Sequence, residues 1–413
     1  MNARATRFPL FDSLRAIAAI SVLAYHAAAS SGILATSSPL KPYAGRLDVG
    51  VAVFFLISGF LLYRPFAAAR LAGDAQPQTG AYAWRRFLRI VPAYWLALTL
   101  IALWLGLPRV LTVHSGPLFY GFAQIYSVPD YARGIGQAWT LCVEMTFYAF
   151  LPLWAFAMRR LPARASRRAW LTTELAGLAV LAAGSLAWKV VVLATQDPNS
   201  FTAQPWLMAL PNFLDQFALG MGLAVLSVHY QDAERLPRPL ALVERAPALP
   251  WFLALVAFWA VSTRIGFTGA FAQHLTSARA LERHVLYAAV AFFLLLPAIF
   301  GDPARGAVRR ILSNRALLYL GLISYGVYLW HGAVFTQLER WGLDDSVHGG
   351  AGPFFLWVAV VLAAAAAIAT ASYYLLERPA LSLKGRVSPQ PEPAPGEALA
   401  EPAPAVPAAP RAG

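Results

Sequence analysis

Apolar stretches of about twenty residues recur along nearly the whole of this 413-residue chain, and no other feature limits its fold so strongly. A helix of that length crosses a hydrocarbon core of about 30 Å. Inside such a core every backbone N–H and C=O must find its partner within the protein, so chains cross it as helices or closed barrels. The stretches fall near 14–34, 49–69, 90–107, 138–158, 170–194, 211–229, 250–268, 284–301, 317–339 and 354–376. They predict an all-α polytopic membrane bundle of about ten transmembrane helices. The composition agrees: 59% of residues are hydrophobic, only 13% are charged, and the mean hydropathy is +0.55. The segment 115–127, which holds Pro117 and Gly121, is too short to span and is expected to be re-entrant or interfacial.

A formal net charge of +13 raises the question of a nucleic-acid partner, and the distribution of the basic residues answers it. With the N-terminus inside, 23 Lys and Arg residues fall on inner segments and 8 on outer loops. That asymmetry follows the positive-inside rule and needs no nucleic acid. Both termini are therefore expected in the cytoplasm, with the chain a multi-pass protein of the inner (plasma) membrane. The first helix is expected to act as an uncleaved signal anchor, because Asp12 and Arg15 make it too polar for a secretory signal.

The single cysteine, Cys142, excludes an intrachain disulfide and a Cys-rich metal site, and no metal is expected. The Pro/Ala-rich stretch 387–413 lacks an apolar period and is expected to be a disordered cytoplasmic tail behind a transmembrane domain covering 1–380. No inverted repeat of the transporter kind is visible. No phosphate-binding P-loop is visible either, and no permanently bound cofactor is implied.

Several helices carry polar residues that a purely structural span would avoid. In FDSLRAIAAISVLAYHAAA (11–29), Arg15 and His26 are eleven residues apart. On a helix that places them within about 20° of one another and roughly 16 Å apart along the axis. Asp12 lies one turn before Arg15 and can pair with it. His26 falls near mid-membrane. A snorkelling arginine and a hydrogen-bonded core histidine would account for these groups. So would a functional site, since intramembrane ionisable residues are costly and a neutral imidazole can take a proton from a hydroxyl. Ser58-Gly59 offers small side chains where a helix or a ligand can approach closely. Arg85, Arg86 and Arg89 open one helix, as topology anchors or as guanidinium forks for phosphate. Glu144 stands alone in an apolar helix, and Ser324, Tyr328 and His331 share one helical face.

Five of these segments, in order, resemble the acyltransferase-3 family of integral membrane acyltransferases. The family's Arg-x10-His falls on Arg15 and His26, and its F-F-x-x-S-G-F on Phe54 to Phe60. Its Arg-x-x-Arg falls on Arg86 and Arg89, and its W-x-L-x-x-E-x-x-F-Y on Trp139 to Tyr148. Its G-x-x-S-Y-x-x-Y-L-x-H falls on Gly321 to His331. Two features depart from the pattern: no hydrolase-like domain follows the last helix, and Met145 stands where a second carboxylate often does.

The resemblance implies transfer of an acyl group, usually acetyl, from cytoplasmic acyl-CoA to a hydroxyl on the outer side of the membrane. The acceptor would be a carbohydrate, with a macrolide-type small molecule as the alternative. It assigns catalysis to His26, Arg15, Asp12 and Glu144, and donor binding to Arg85, Arg86 and Arg89. It assigns a substrate pocket to Ser58, Gly59, Ser324, Tyr325, Tyr328 and His331, with His331 the reserve candidate for the base. A transporter or flippase would be expected to show internal repeats, and a glycan ligase a longer outer loop than 108–137.

Overall fold

The computed structural model describes residues 8–161, 166–265, 275–302 and 304–386. The expected tail, 387–413, lies outside the described residues. Helices α1 (Leu10–Ser30), α2 (Gly50–Ala72), α3 (Thr79–Leu105), α4 (Trp139–Arg159) and α5 (Arg167–Thr195) make up the first half. Then follow α6 (Leu214–His229), α7 (Arg238–Arg245), α8 (Ala248–Thr263), α9 (Ser277–Ile299), α10 (Arg315–Leu322), α11 (Ser324–Arg340) and α12 (Ala351–Ser372). No strand occurs among the described residues.

Each of the ten expected stretches overlaps a helix, but not all are simple spans. Among the described residues seven helices are long and apolar enough to cross a membrane by themselves, and up to nine if two bent pairs each count as one span. The remaining stretch, α6, has only 16 residues. The expected continuous helix 317–339 is broken at Ile323, where α10 and α11 meet at 73°. The break has a local cause. A Cβ on Gly321 would lie 1.9 Å from the Asp12 carbonyl oxygen, so this glycine lets α10 press backbone to backbone against α1. Ser324 then donates its hydroxyl to the Gly321 carbonyl at 2.8 Å and starts α11 in a new direction.

Close approaches of this kind hold the bundle together. Gly59 of α2 lies against the Phe217 carbonyl, and Gly220 of α6 against the Leu56 carbonyl, so the two helices interlock reciprocally. Gly50 gives α2 the same proximity to Ala18 of α1. Apolar side chains alone do not drive helices together in lipid; small residues do so by allowing dense van der Waals contact. Buried ionic groups are matched as well. Glu174, fully buried on α5, is held by Arg70 and by the Tyr63 hydroxyl of α2. Arg309, also fully buried, donates to the carbonyls of Pro297, Phe300 and Val243, covering helix-end acceptors of α7 and α9.

The segment 115–127 forms the short helix Gly116–Tyr120 and a 3₁₀ turn, Gln124–Tyr126, folded back on α3. Tyr94 and Trp95 of α3 donate to the Phe119 and Tyr120 carbonyls, both at 2.9 Å.

Candidate functional site

α1 runs unbroken from Leu10 to Ser30, so Arg15 and His26 lie at different depths of one rigid rod. Each faces a different space. The Arg15 end borders a small pocket of about 100 Å³, and the His26 end borders a cavity of about 950 Å³.

The small pocket is where the separated sequence motifs converge. It is lined by Arg15 of α1, Ser58 of α2, Arg86 and Arg89 of α3, Glu144 of α4, and Ser324, Tyr325 and Tyr328 of α11. The spacing of three turns Arg86 and Arg89 to the same side of α3, while Phe87 between them faces outward. Arg15 is paired with Asp12 at 2.9 Å. Glu144 accepts a short hydrogen bond from the Ser58 hydroxyl. The break before α11 lets Tyr325 reach across to α3, where it donates to the Ile90 carbonyl at 2.8 Å. Among the described residues neither Arg86 nor Arg89 has a hydrogen bond or ion pair, and the buried Arg86 Nε has no partner. Two unpaired guanidinium groups facing one pocket suit an anion with several oxygens, because each presents a planar fork of donors.

The large cavity begins where the pocket ends. Tyr328 and Val51 line both spaces and form their common wall. The Tyr328 hydroxyl is fixed by Thr140 at 2.7 Å and by the Gln137 carbonyl at 2.9 Å. His26 lines the cavity just beyond this wall, its ring centroid 5.2 Å from that of His331. His331 is almost fully buried. Its Nδ1 lies 3.1 Å from the Val327 carbonyl, the geometry of a donor, and its Nε2 is buried without a partner. Gln137 straps the same turn of α11, donating to the carbonyls of Tyr328 and Leu329. Gly332 leaves room for that amide, since a Cβ there would lie 2.7 Å from Oε1.

Most sequence candidates therefore meet at one of these spaces, and four stand aside. Gly59 does not border the pocket; its missing side chain serves the α2–α6 contact rather than a ligand. Arg85 does not line the pocket, because it points to a different side of α3 from Arg86 and Arg89. Asp12 is paired with Arg15 and does not itself line the pocket. His331 sits behind His26 instead of lining the cavity. Sequence reasoning passed over the far wall, which includes Lys189 of α5 and Arg283 and His284 of α9. His284 is bonded to Asp215 of α6 at 2.7 Å. A signal existed for one of them: Lys189 is a lone cation inside the apolar stretch LAVLAAGSLAWKVVVLAT, and intramembrane charge is a functional flag.

The sequence profile of the acyltransferase-3 family, described as an acyltransferase domain, matches residues 9–375. The chain belongs to the acyltransferase-3 family. It is similar to Nodulation protein 10 of Rhizobium leguminosarum bv. viciae, with 28% identity covering 81% of this chain and 82% of that protein. The Exopolysaccharide production protein ExoZ of Rhizobium meliloti is 29% identical over 80% of this chain and 89% of its own length. The Peptidoglycan O-acetyltransferase OatA of Listeria monocytogenes is 23% identical over 81% of this chain, which spans only 51% of that protein. No solved structure gives a significant match. As an acyltransferase-3 protein the chain is an integral membrane acyltransferase of several apolar helices. The motif-bearing pocket and the histidine-lined cavity are the places to look for its two substrates.

Proposed function

We propose that this protein transfers an acyl group, acetyl in the simplest case, from cytoplasmic acyl-CoA to a hydroxyl of a carbohydrate on the outer side of the membrane. One observation carries the reading: the arginine pocket and the His26 cavity meet at the wall formed by Tyr328 and Val51. A donor held by Arg86 and Arg89 through its phosphates would extend its thioester toward that wall. An acceptor in the cavity would bring a hydroxyl to His26 from the other side. His26 takes the hydroxyl proton as the oxygen attacks the thioester carbonyl carbon; the C–S bond breaks, and the proton passes to the departing thiolate. The products are an ester and free CoA. His331, bonded to the α11 backbone, is a positioning residue that holds the His26 ring in place. Arg15, paired with Asp12, supplies further positive charge to the donor pocket.

The relatives named for peptidoglycan O-acetylation and exopolysaccharide production support a polymer of the cell envelope as acceptor. The basic asymmetry of the loops supports a cytoplasmic location for the Arg86–Arg89 end. Mass spectrometry of cell-surface glycans from cells with and without the gene tests the reading. Ester-linked acyl groups present only when the gene is intact are expected; identical glycan profiles would overturn the carbohydrate acceptor. Reporter fusions after Arg89 test the topology, since activity confined to the outside of the cell would reverse it.

A further inference from the structure

The far wall of the cavity carries two cations, Lys189 and Arg283, that make no hydrogen bond or ion pair among the described residues. Lys189 of α5 is 6% exposed, lines the cavity, and has no hydrogen bond or ion pair among the described residues. Its ammonium group lies 5.6 Å from the centre of the Phe213 ring. Arg283 of α9 also lines the cavity and has no hydrogen bond or ion pair; its guanidinium stacks over Tyr287 at 6.0 Å. Lys189 is attracted by the Asp215 carboxylate and repelled by Arg283, so one carboxylate faces two cations here.

The acidic groups around them are already engaged. Asp215 accepts from His284 at 2.7 Å and has the Ser185 hydroxyl 3.1 Å from its other oxygen. Asp48 is held by the Tyr287 hydroxyl. Glu339 accepts from Ser30 at 2.6 Å. An unpaired ammonium group in a membrane interior is expensive, and two beside one another add mutual repulsion. A bound anion would relieve both costs. The same wall presents hydrogen-bonding amides, Asn212 and Gln216, whose carbonyl oxygens are buried without donors. Such acceptors suit the hydroxyls of a sugar.

We infer that the outer cavity binds an acidic glycan, its anionic group seated between Lys189 and Arg283 while a neighbouring hydroxyl is presented to His26. This inference rests on the acyl-transfer reading above and adds the charge of the acceptor to it. It makes Lys189 and Arg283 the residues that select charged over neutral acceptors.

The test uses the full-length protein in lipid nanodiscs, with three probes measured by calorimetry. They are a tetragalacturonate, its carboxyl-reduced neutral counterpart, and that same counterpart carrying one phosphate. Acyl-CoA affinity is measured on the same preparations. At least one charged probe is expected to bind about tenfold or more tightly than the neutral one, as a single desolvated charge contact allows. Preference for the uronate assigns a carboxylate, and preference for the phosphorylated probe assigns a phosphate. Lys189→Met and Arg283→Gln should each abolish most of that preference, and Lys189→Arg should restore it. Lys189→Met keeps the apolar stem and removes a buried charge, so the fold is expected to survive; thermal melting checks this. Equal binding of charged and neutral probes to the wild type, or an unchanged preference in both variants, would overturn the inference. Failure of acyl-CoA to bind would instead overturn the donor reading, so the two failures are distinct.

Discussion

The arginine pocket and the histidine cavity share one wall and differ in almost everything else. The pocket is small, about 100 Å³, and its polar lining comes from the five motif segments spread over α1, α2, α3, α4 and α11. The cavity is about 950 Å³, and its far wall comes from α5, α6 and α9, where no motif lies. On the proposed reading this is the difference between a constant substrate and a variable one. Acyl-CoA presents the same thioester and phosphates to every such enzyme, so a fixed set of side chains serves it. Acceptors differ, and the helices that face them are free to differ too. The contact surfaces follow the same division: Gly50 and Gly321 lock the backbones around α1, whereas the cavity is bounded partly by loop residues such as Tyr131 and Pro198.

The comparison breaks most sharply at His26. His26→Ala should lower transfer by about 10²–10⁴-fold, the usual contribution of a general base, with acyl-CoA affinity preserved. His331→Ala should cost less, since that ring acts through its neighbour. Turnover assays on both variants decide the order: an active His26→Ala beside a dead His331→Ala would move the base to α11.

The donor side should respond differently. Arg86→Ala and Arg89→Ala are each expected to weaken acyl-CoA binding by about 1.5–3 kcal/mol, the range for a hydrogen bond to a charged group. Titration of purified protein with acyl-CoA measures this. An unchanged affinity in the double variant would make these arginines topology anchors. A packing change of comparable size is expected at Gly321→Val. Overpacking costs roughly 1–3 kcal/mol, and here the clash is with the Asp12 backbone rather than with a side chain that can turn away. A lower melting temperature in detergent is the readout, and an unaltered one would mean that α1 and α10 can separate freely. The smallest effect should be at Arg85→Ala. Because Arg85 does not line the pocket, acyl-CoA affinity should stay within about twofold of wild type, inside the roughly 0.5 kcal/mol of an ordinary surface change.

Much of this division was legible in the sequence. Twenty-residue apolar runs located the helices, and helical arithmetic placed Arg15 and His26 at separate depths on one face, as the unbroken α1 does. The break at Ile323 was not legible, because a glycine and a serine inside an apolar run are compatible with a straight helix. The approach of the Asp12 backbone to Gly321, which accompanies the bend, involves a helix about 300 residues away in sequence. Gly59 left two readings open for a related reason: a small residue announces a close approach, of a helix or of a ligand, without saying by which. Here the neighbour is the Phe217 backbone of α6. The pairing of His26 with His331 and the Lys189–Arg283 wall depend on helices distant in sequence, so no local pattern could assemble them. Lys189 alone carried a signal, as a charge inside an apolar span.

On the proposed reading the two substrates approach from opposite faces and meet at Tyr328. Oriented membrane vesicles from cells making the protein test it most directly. Radiolabelled acetyl-CoA, which does not cross a bilayer, is supplied outside either inverted or right-side-out vesicles, and base-labile label in the glycan fraction is counted. The account predicts ester label with inverted vesicles, where the Arg86–Arg89 end faces the medium, and its loss in the His26→Ala variant. It predicts none with right-side-out vesicles. Equal labelling in both orientations, or labelling only of right-side-out vesicles, would contradict it.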